Sequence, residues 1–173
     1  HRKVLIVDGT IGFTGGVGMG NEWLGDAQDE AHWRESHYQV EGPVVAQMQA
    51  GFVDNWIKAT GRVLHGPQFF PATHANVGDM DAQMFGSSPV GGSESMHLMI
   101  LLALTAAQKS IDIENAYFVP DQPTADALAV AARRGVRVRI VVPGRYTDAR
   151  VGRWAAHALY GVLLNAGVGL YEY

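Results

Sequence analysis

The amino-terminal residues His1, Lys3 and Asp8 have the side-chain types and the spacing that phosphate chemistry requires. They form the pattern H-x-K-x4-D, which is followed, after six further residues, by Gly15 and Gly16. An imidazole can attack phosphorus, and a neighbouring ammonium group neutralises charge on the non-bridging oxygens. The pattern therefore predicts a centre for phosphoryl chemistry in which His1 and Lys3 act together.

The strand-like run Val4 to Val7 determines how these groups are presented. Side chains alternate between the two faces of a strand, so His1 and Lys3 are expected on the same face. Asp8-Gly9 is a hairpin signal that leads into Ile11 to Thr14, which predicts an antiparallel hairpin. A carboxylate at such a turn accepts hydrogen bonds from backbone amides, so we predict a supporting role for Asp8.

Each of the three residues also has an ordinary explanation. His1 is consistent with the remnant of an expression tag, Lys3 with a solvent-facing strand residue, and Asp8 with a turn former. The three together at this spacing, with the glycine pair behind them, favour the functional interpretation.

The first half of the chain is expected to place this motif on a hairpin beside one helix. Residues 15–25 are glycine-rich and then polar, which predicts a loop whose backbone a ligand or another strand can approach closely. A helix is predicted from Gly42-Pro43 to a stop at Gly61. Four apolar residues are predicted to form its inward face: Val45, Met48, Phe52 and Trp56. Residues 62–92 are rich in proline and glycine and predict a connection, with a boundary near Gly86.

Helices and strands alternate in the second half of the chain. The predicted order is helix 93–108, strand 111–118, helix 123–134, strand 136–142, helix 148–166 and a strand that begins at 168. Such alternation predicts an α/β fold in which helices flank a parallel or mixed sheet. We expect two structural units, residues 1–85 and 86–173.

The composition is that of an ordinary globular protein. The 173 residues are 47% hydrophobic and 17% charged, and the net charge of -4 argues against broad, sequence-independent binding of nucleic acid. The absence of cysteine excludes disulfides and thiolate chemistry. The longest apolar run, Leu98 to Ala107, is shorter than the about 20 residues that span a bilayer and predicts a buried helix.

The pattern H-x-K-x4-D-x6-G-G resembles the HKD motif of the phospholipase D superfamily. Further segments are similar to the cardiolipin synthase branch of that superfamily, and together with the motif they cover nearly the whole chain. These segments are His32 to His37, Glu41 to Val44 with Phe52 and Trp56, Glu114 to Asp121, Arg134 to Val138, Val142 to Gly144, and Gly167 to Tyr173.

This resemblance implies a phosphatidyltransferase or phospholipase that acts on phospholipids through a phosphohistidine intermediate. It implies His1 as a nucleophile, Lys3 as a phosphate ligand and a second HKD motif that contributes a partner histidine. We expect that motif just beyond Tyr173 in a longer protein, or on a dimer mate, and the family pattern leaves open which histidine attacks. No metal or organic cofactor is implied, and the expected location is the cytoplasmic side of a bacterial-type membrane, bound peripherally or through an upstream anchor.

Several further residues are implied as substrate contacts: Gly16, Asn21, Arg34, Glu94 and Tyr117. The family usually carries asparagine where this chain has Gly18, so the loop backbone or Asn21 is expected to replace the lost amide. Glu94 also suits the first turn of a helix, and Tyr117 also suits aromatic core packing. We interpret His32 and His37 as polar loop residues, because their spacing lacks a third metal ligand.

Two alternatives to the lipid enzyme remain open from the sequence. One is a phospholipase D-like phosphodiesterase that cleaves nucleic acid, which the acidic net charge disfavours. The other is a catalytically silent polypeptide, because two histidines must converge on one phosphorus. A two-fold dimer could bring two copies of His1 together, and activity that depends steeply on protein concentration would favour the dimer.

Overall fold

The computed structural model describes residues 3–72, 77–87, 93–147 and 150–173. The chain divides into two compact units, His1–Gly86 and Ser87–Tyr173. Each unit contains a three-stranded sheet with helices beside it, so the predicted α/β class is confirmed. That the two units are related halves of a phospholipase D-like pair stays a prediction.

The first unit is an antiparallel sheet with one long helix. Its strands pair in the order β1 (Val4–Val7), β2 (Ile11–Gly15) and β3 (His37–Glu41). The predicted hairpin joins β1 to β2, and its turn is closed by the Thr10 amide, which donates to the Val7 carbonyl at 3.0 Å. Asp8 and Gly9 both adopt positive φ, 52° and 65°, which is the conformation that makes Asp-Gly a preferred hairpin turn.

Strand β3 was not predicted, and the interpretation of His37 as a loop residue is therefore wrong. This strand is exposed along most of its length, and only Val40 is partly buried. Because β3 is an edge strand that is held by backbone pairing to β2, its sequence needs no apolar alternation and carries none.

Helix α1 (Val44–Thr60) packs against all three strands of this sheet. It ends as predicted at Gly61, which has φ of 68° and donates its amide to the Ile57 carbonyl at 2.8 Å. Val45 and Met48 are buried as predicted, whereas Phe52 is 37% exposed. The buried face runs instead through Val44 and Val53, so the predicted face was rotated at its carboxyl end.

The second unit is a parallel sheet with three helices. Its elements follow the chain as α2 (Ser93–Ala106), β4 (Ser110–Glu114), α3 (Gln122–Arg133), β5 (Arg137–Val142), α4 (Arg150–Asn165) and β6 (Gly169–Glu172). The strands pair in the order β4-β5-β6. Because β5 is central, its alternate residues Val138, Ile140 and Val142 are buried against the helices.

Helix α2 carries a long apolar run, Leu98 to Leu104, that is not buried on every side. Leu104 lies in the core, whereas Leu98 is 59% exposed and Leu102 is 70% exposed. The prediction of a buried helix is therefore wrong for the face that carries these two leucines. Among the described residues, no helix is both long enough and apolar enough to cross a membrane.

Asp121 fixes the start of α3 and leads to a pH prediction. Its carboxylate accepts a hydrogen bond from the Thr124 amide at 3.0 Å and lies 3.0 Å from His97 Nε2. The bonds from Thr124, and then the charge of His97, hold the pKa of Asp121 below its ordinary value of 3.8. The ionised Asp121 cap therefore stabilises the fold fully at pH values above the ordinary pKa of 3.8. This stabilisation is lost as the pH falls through the lowered pKa of the folded state.

We expect Asp121→Ala to lower the thermal unfolding midpoint at neutral pH, because the Thr124 amide loses its acceptor. Asp121→Asn retains an acceptor and should lose less at neutral pH, while its midpoint should fall less steeply on acidification. Circular dichroism melts between pH 2 and 7 measure both effects. Equal midpoints for the alanine and asparagine variants at pH 7 would contradict the capping role.

Candidate functional site

Lys3 is held by one hydrogen bond and one aromatic ring. Its ammonium donates to the Gly16 carbonyl at 2.7 Å and lies 4.6 Å from the centre of the Trp23 ring. The Thr14 hydroxyl donates to the Lys3 carbonyl at 3.0 Å and so fixes the backbone. Among the described residues, no carboxylate lies within ion-pair distance of this ammonium. The positive charge therefore faces the glycine-rich loop and has no ion-pair partner in the described part of the chain.

His1, the predicted nucleophile, lies outside the described residues, so the expected pairing of His1 with Lys3 stays a prediction. The described strands are consistent with it. Val4 pairs with Thr14 and Gly15 pairs with His37, which places Lys3 at the same end of the sheet as the Gly15-Gly16 pair. The motif and its trailing glycines are thus brought together by the register of the hairpin.

Gly15 brings the loop against β3 more closely than any side chain permits. A Cβ at this position would collide with the Ser36 carbonyl oxygen and would lie 2.6 Å from the His37 Cα atom. Both are backbone atoms, so a side chain at residue 15 cannot be accommodated by a rotamer change. The glycine is therefore required for the pairing that ends the loop at Gly16, whose amide donates to the Ser36 carbonyl at 3.0 Å.

We expect Gly15→Ala to destabilise the chain by about 1–3 kcal/mol, the usual cost of overpacking. Chemical denaturation measures this change. Gly78→Ala is a control for glycine substitution at an open site, since a Cβ there meets nothing within 4 Å and the φ of 77° is the only source of strain. A smaller loss for Gly15→Ala than for Gly78→Ala would contradict the close approach.

Gly18, the departure from the family pattern, is explained by the position of Trp23. A Cβ at Gly18 would lie 2.8 Å from the Trp23 ring and 3.0 Å from the Lys3 ammonium. An asparagine there would displace the ring, the ammonium or both. In this chain the indole therefore occupies the space beside Lys3, and the absence of a side chain at residue 18 makes that arrangement possible.

Trp23 and Trp33 form the wall of a pocket of about 370 Å³. Their rings meet edge to face, with centroids 5.1 Å apart and planes at 84°. Three residues with charged side chains, Asp26, Arg34 and Glu35, also line the pocket. The Glu35 carboxylate packs directly against Gly16, at the position where a side chain would otherwise stand. The pocket therefore adjoins the loop that holds Lys3.

The other predicted residues of the first unit have different surroundings. Arg34 lines the pocket, as just described. Asn21 begins the short helical turn Asn21–Trp23, and its carbonyl accepts from the Leu24 amide at 3.1 Å, so it positions Trp23. Asp8 is exposed at the hairpin turn, and no hydrogen bond to its carboxylate is found among the described residues. The predicted hydrogen bonds from backbone amides to Asp8 are therefore not found there, and the roles of Arg34 and Asn21 toward substrate stay predictions.

Two predicted contacts belong to the second unit. Tyr117 follows β4 and is 59% exposed, while the adjacent Phe118 is buried, so the alternative of core packing fails for the tyrosine. The Asn115 side chain accepts from the Tyr117 amide at 2.7 Å and shapes this turn. Glu94 lies in the first turn of α2, and its side chain is outside the described part of the chain.

Sequence reasoning missed Trp23, Asp26 and Glu35. No motif marks them, because their contribution depends on a loop that folds back onto the glycines. The one available signal was the pair of tryptophans, Trp23 and Trp33, in an otherwise polar loop. Within the described ranges, no group of three or more histidine, aspartate or glutamate side chains is arranged to hold a metal ion.

Comparison with known proteins gives consistent matches. Residues 100–173 match the family described as "Cardiolipin synthase, PLD-like domain". The chain is 36% identical over 180 residues to Cardiolipin synthase 1 of Bacillus anthracis, a match that covers 100% of this chain and 35% of that protein. It is 37% identical to the Cardiolipin synthase of Halalkalibacterium halodurans and 36% identical to Cardiolipin synthase A of Pseudomonas putida, each over 174 residues. These matches cover 100% of this chain, and 34% and 35% of the two proteins.

The chain thus spans about a third of the length of these curated relatives. No solved structure matches it.

Proposed function

We propose, since the chain belongs to the phospholipase D-like family of the cardiolipin synthases, that it forms part of a phosphatidyltransferase. The enzyme takes a phosphatidyl group from one phospholipid and passes it to an alcohol or to water. The single observation that carries this proposal is the Lys3 ammonium, which is held at the Gly16 carbonyl without a neutralising carboxylate among the described residues.

The chemistry follows from the two groups of the motif. The His1 imidazole attacks phosphorus, a nitrogen–phosphorus bond forms, and the bond from phosphorus to the leaving alcohol breaks. The leaving oxygen takes a proton from the histidine of a second motif, which acts as general acid. That histidine then removes a proton from the incoming alcohol, whose oxygen displaces the imidazole and restores His1.

Lys3 stabilises the charge that develops on the non-bridging oxygens during both displacements. Its ammonium donates to the Gly16 carbonyl, so a phosphate oxygen beside this carbonyl can accept a further hydrogen bond from the same ammonium. The Trp23 ring lies 4.6 Å from the ammonium and contributes a cation–π contact to its placement. The Lys3 ammonium and the protonated histidine of the second motif together supply the positive charge that the mechanism requires.

The second histidine comes, in this proposal, from a further HKD motif of a longer protein or from a second copy of the chain. The working location is the surface of a bacterial membrane on its cytoplasmic side, where the phospholipid substrate lies. The three relatives named above are all bacterial proteins, which supports a bacterial setting.

The test is an assay of the purified protein on vesicles that contain labelled phosphatidylglycerol. We expect phosphatidyl transfer or hydrolysis, with a rate that is proportional to protein concentration for a two-motif protein and rises more steeply for a dimer of single motifs. A labelled DNA duplex is assayed in parallel. Cleavage of the DNA alone, or no turnover of either substrate by a protein that contains both motifs, would overturn the proposal.

A further inference from the structure

The amino-terminal edge of the parallel sheet in the second unit is basic. Three segments form this edge, residues 102–112, 130–139 and 162–169, in which Asp112 is the only acidic residue. They hold five of the 13 lysine and arginine residues of the chain: Lys109, Arg133, Arg134, Arg137 and Arg139. We propose that this basic edge, together with exposed aliphatic side chains on the same edge, binds the surface of a membrane that contains anionic lipid. The inference rests on the proposed function for its membrane setting, but vesicle binding can be measured without turnover.

Backbone contacts gather these segments at one end of the unit. Because β4, β5 and β6 run parallel, their amino ends lie side by side, and the helix that precedes each strand ends at the same edge. The Arg134 guanidinium donates to the Thr105 and Ala107 carbonyls at 3.1 Å and 2.9 Å, which ties the end of α3 to the end of α2. The Arg137 amide donates to the Lys109 carbonyl at 3.1 Å. The cations are therefore neighbours in space, although two separate segments supply them.

Internal contacts account for only part of the positive charge. Arg139 and Arg137 lie 2.7 Å and 3.5 Å from the Asp112 carboxylate, so two guanidinium groups share one carboxylate. Lys109 and Arg133 are exposed, and in the described ranges neither has a carboxylate within ion-pair distance. Five cations stand against one carboxylate at this edge, although the chain as a whole has a net charge of -4. The excess positive charge is available to an anionic partner.

Each of the three helices also presents an exposed aliphatic side chain at this edge. Leu102 of α2, Val130 of α3 and Leu164 of α4 are all exposed. Each lies within about one turn of the carboxyl end of its helix. A surface that combines aliphatic side chains with lysine and arginine suits the boundary between lipid headgroups and acyl chains, where both kinds of side chain find partners.

A membrane fits this edge better than a nucleic acid or a second copy of the chain. Both a membrane and a nucleic acid carry phosphate groups that attract lysine and arginine. Only the membrane also offers acyl chains, which can cover Leu102 and Leu164. A second copy placed edge to edge would bring like charges together. The combination of charge and aliphatic surface therefore indicates anionic lipid as the partner.

The test measures binding of the purified protein to lipid vesicles by flotation. Vesicles of phosphatidylcholine alone are compared with vesicles in which phosphatidylglycerol replaces part of it. We expect tighter binding to the anionic vesicles, with loss of this preference at about 1 M salt, where charges are screened beyond about 3 Å. The double variant Lys109→Gln/Arg133→Gln, called the edge variant, should raise the dissociation constant for anionic vesicles about 30-fold, the usual contribution of two cations at such a surface.

Two further variants test the charge and the aliphatic surface separately. Lys58→Gln with Arg62→Gln is the matched control, because it removes the same charge at the exposed carboxyl end of α1. It should leave the dissociation constant within about twofold of the wild-type value, since its charges lie outside the basic edge. Leu164→Ser should weaken binding about tenfold, because a leucine no longer enters the acyl region. Equal weakening by the control pair, or unchanged binding of the edge variant, would overturn the inference.

Turnover measurements separate failure of this inference from failure of the proposed function. Lys3→Met removes the candidate phosphate contact and should leave vesicle binding unchanged. Vesicle binding that the edge variant weakens supports the inference even in a protein without turnover. Turnover on vesicles that the edge variant leaves unchanged retains the proposed function and rejects the binding surface. A labelled DNA duplex that binds as tightly as the anionic vesicles, and loses as much affinity in the edge variant, would overturn the assignment to lipid.

Discussion

Replacing Lys3 with methionine is expected to lower the rate of phosphodiester cleavage about 10²–10³-fold, the usual cost of losing one donor that stabilises transition-state charge. Methionine keeps the length of the stem and removes the ammonium. In the unsubstituted protein the ammonium lies 2.7 Å from the Gly16 carbonyl oxygen, so the variant loses its positive charge at that position. Initial rates on labelled phosphatidylglycerol vesicles measure the effect, with kcat and KM determined separately.

The control for this substitution is Lys58→Met. Lys58 is an exposed lysine of α1 that pairs with Asp54, so its removal should change the rate less than twofold. Thermal melts of both variants show whether the fold is retained. A rate for Lys3→Met within about threefold of wild type would remove the basis for placing phosphate at this ammonium, since a transition-state contact costs far more.

Lys3→Arg distinguishes charge from geometry at the same position. An arginine keeps the positive charge, but its planar guanidinium is larger than the ammonium that fits between Gly18 and Trp23. We therefore expect it to recover only part of the activity. Full recovery would indicate that a diffuse positive field, and not the hydrogen bond of a compact ammonium, stabilises the phosphate.

Residues that act locally made much of this fold predictable. Asp8-Gly9 specifies a turn with two positive φ values, and Gly61 specifies a helix end, so the hairpin and the end of α1 follow from the sequence. The alternation of helices and strands in the second half likewise reflects local periodicity. These features depend on backbone preferences that few neighbours can override.

The predictions that were wrong or missing concern features that depend on contacts between distant parts of the chain. The polar sequence of β3 forms a strand only because β2 offers a free edge. The exposed face of α2 has the same residue types as a buried one, so composition cannot distinguish the two. The position of Trp23 over Lys3 requires a loop to fold back across 20 residues of sequence, and no periodicity encodes that return.

In the candidate site, too, local sequence patterns could be predicted and contacts between distant residues could not. The HKD pattern predicts His1, Lys3 and Asp8 as site residues from the sequence alone, because its spacing is specific. It did not identify the residues beside them, since carboxylates and tryptophans in a polar loop are common. Gly18 illustrates the difference: the sequence marked it as a departure, and only the geometry shows that a side chain there would displace Trp23.

The largest expected loss of stability is for Ile140→Ala, at about 2–5 kcal/mol, because the substitution leaves a cavity in a well-packed core. Ile140 lies on the central strand β5, is 0% exposed, and belongs to the cluster that includes Leu128 and Leu163. Chemical denaturation monitored by circular dichroism measures the loss.

The adjacent residue provides the control. Arg139 lies on the opposite face of β5, where its guanidinium donates to Asp112 at 2.7 Å and remains exposed to solvent. Arg139→Ala should shift the unfolding midpoint much less than Ile140→Ala, because water replaces an exposed ion pair whereas nothing replaces a buried side chain. Similar shifts for the two variants would mean that the outer face of the sheet is also covered in the intact protein. In that case this face, with Asp112 and Arg139, would belong to an interface.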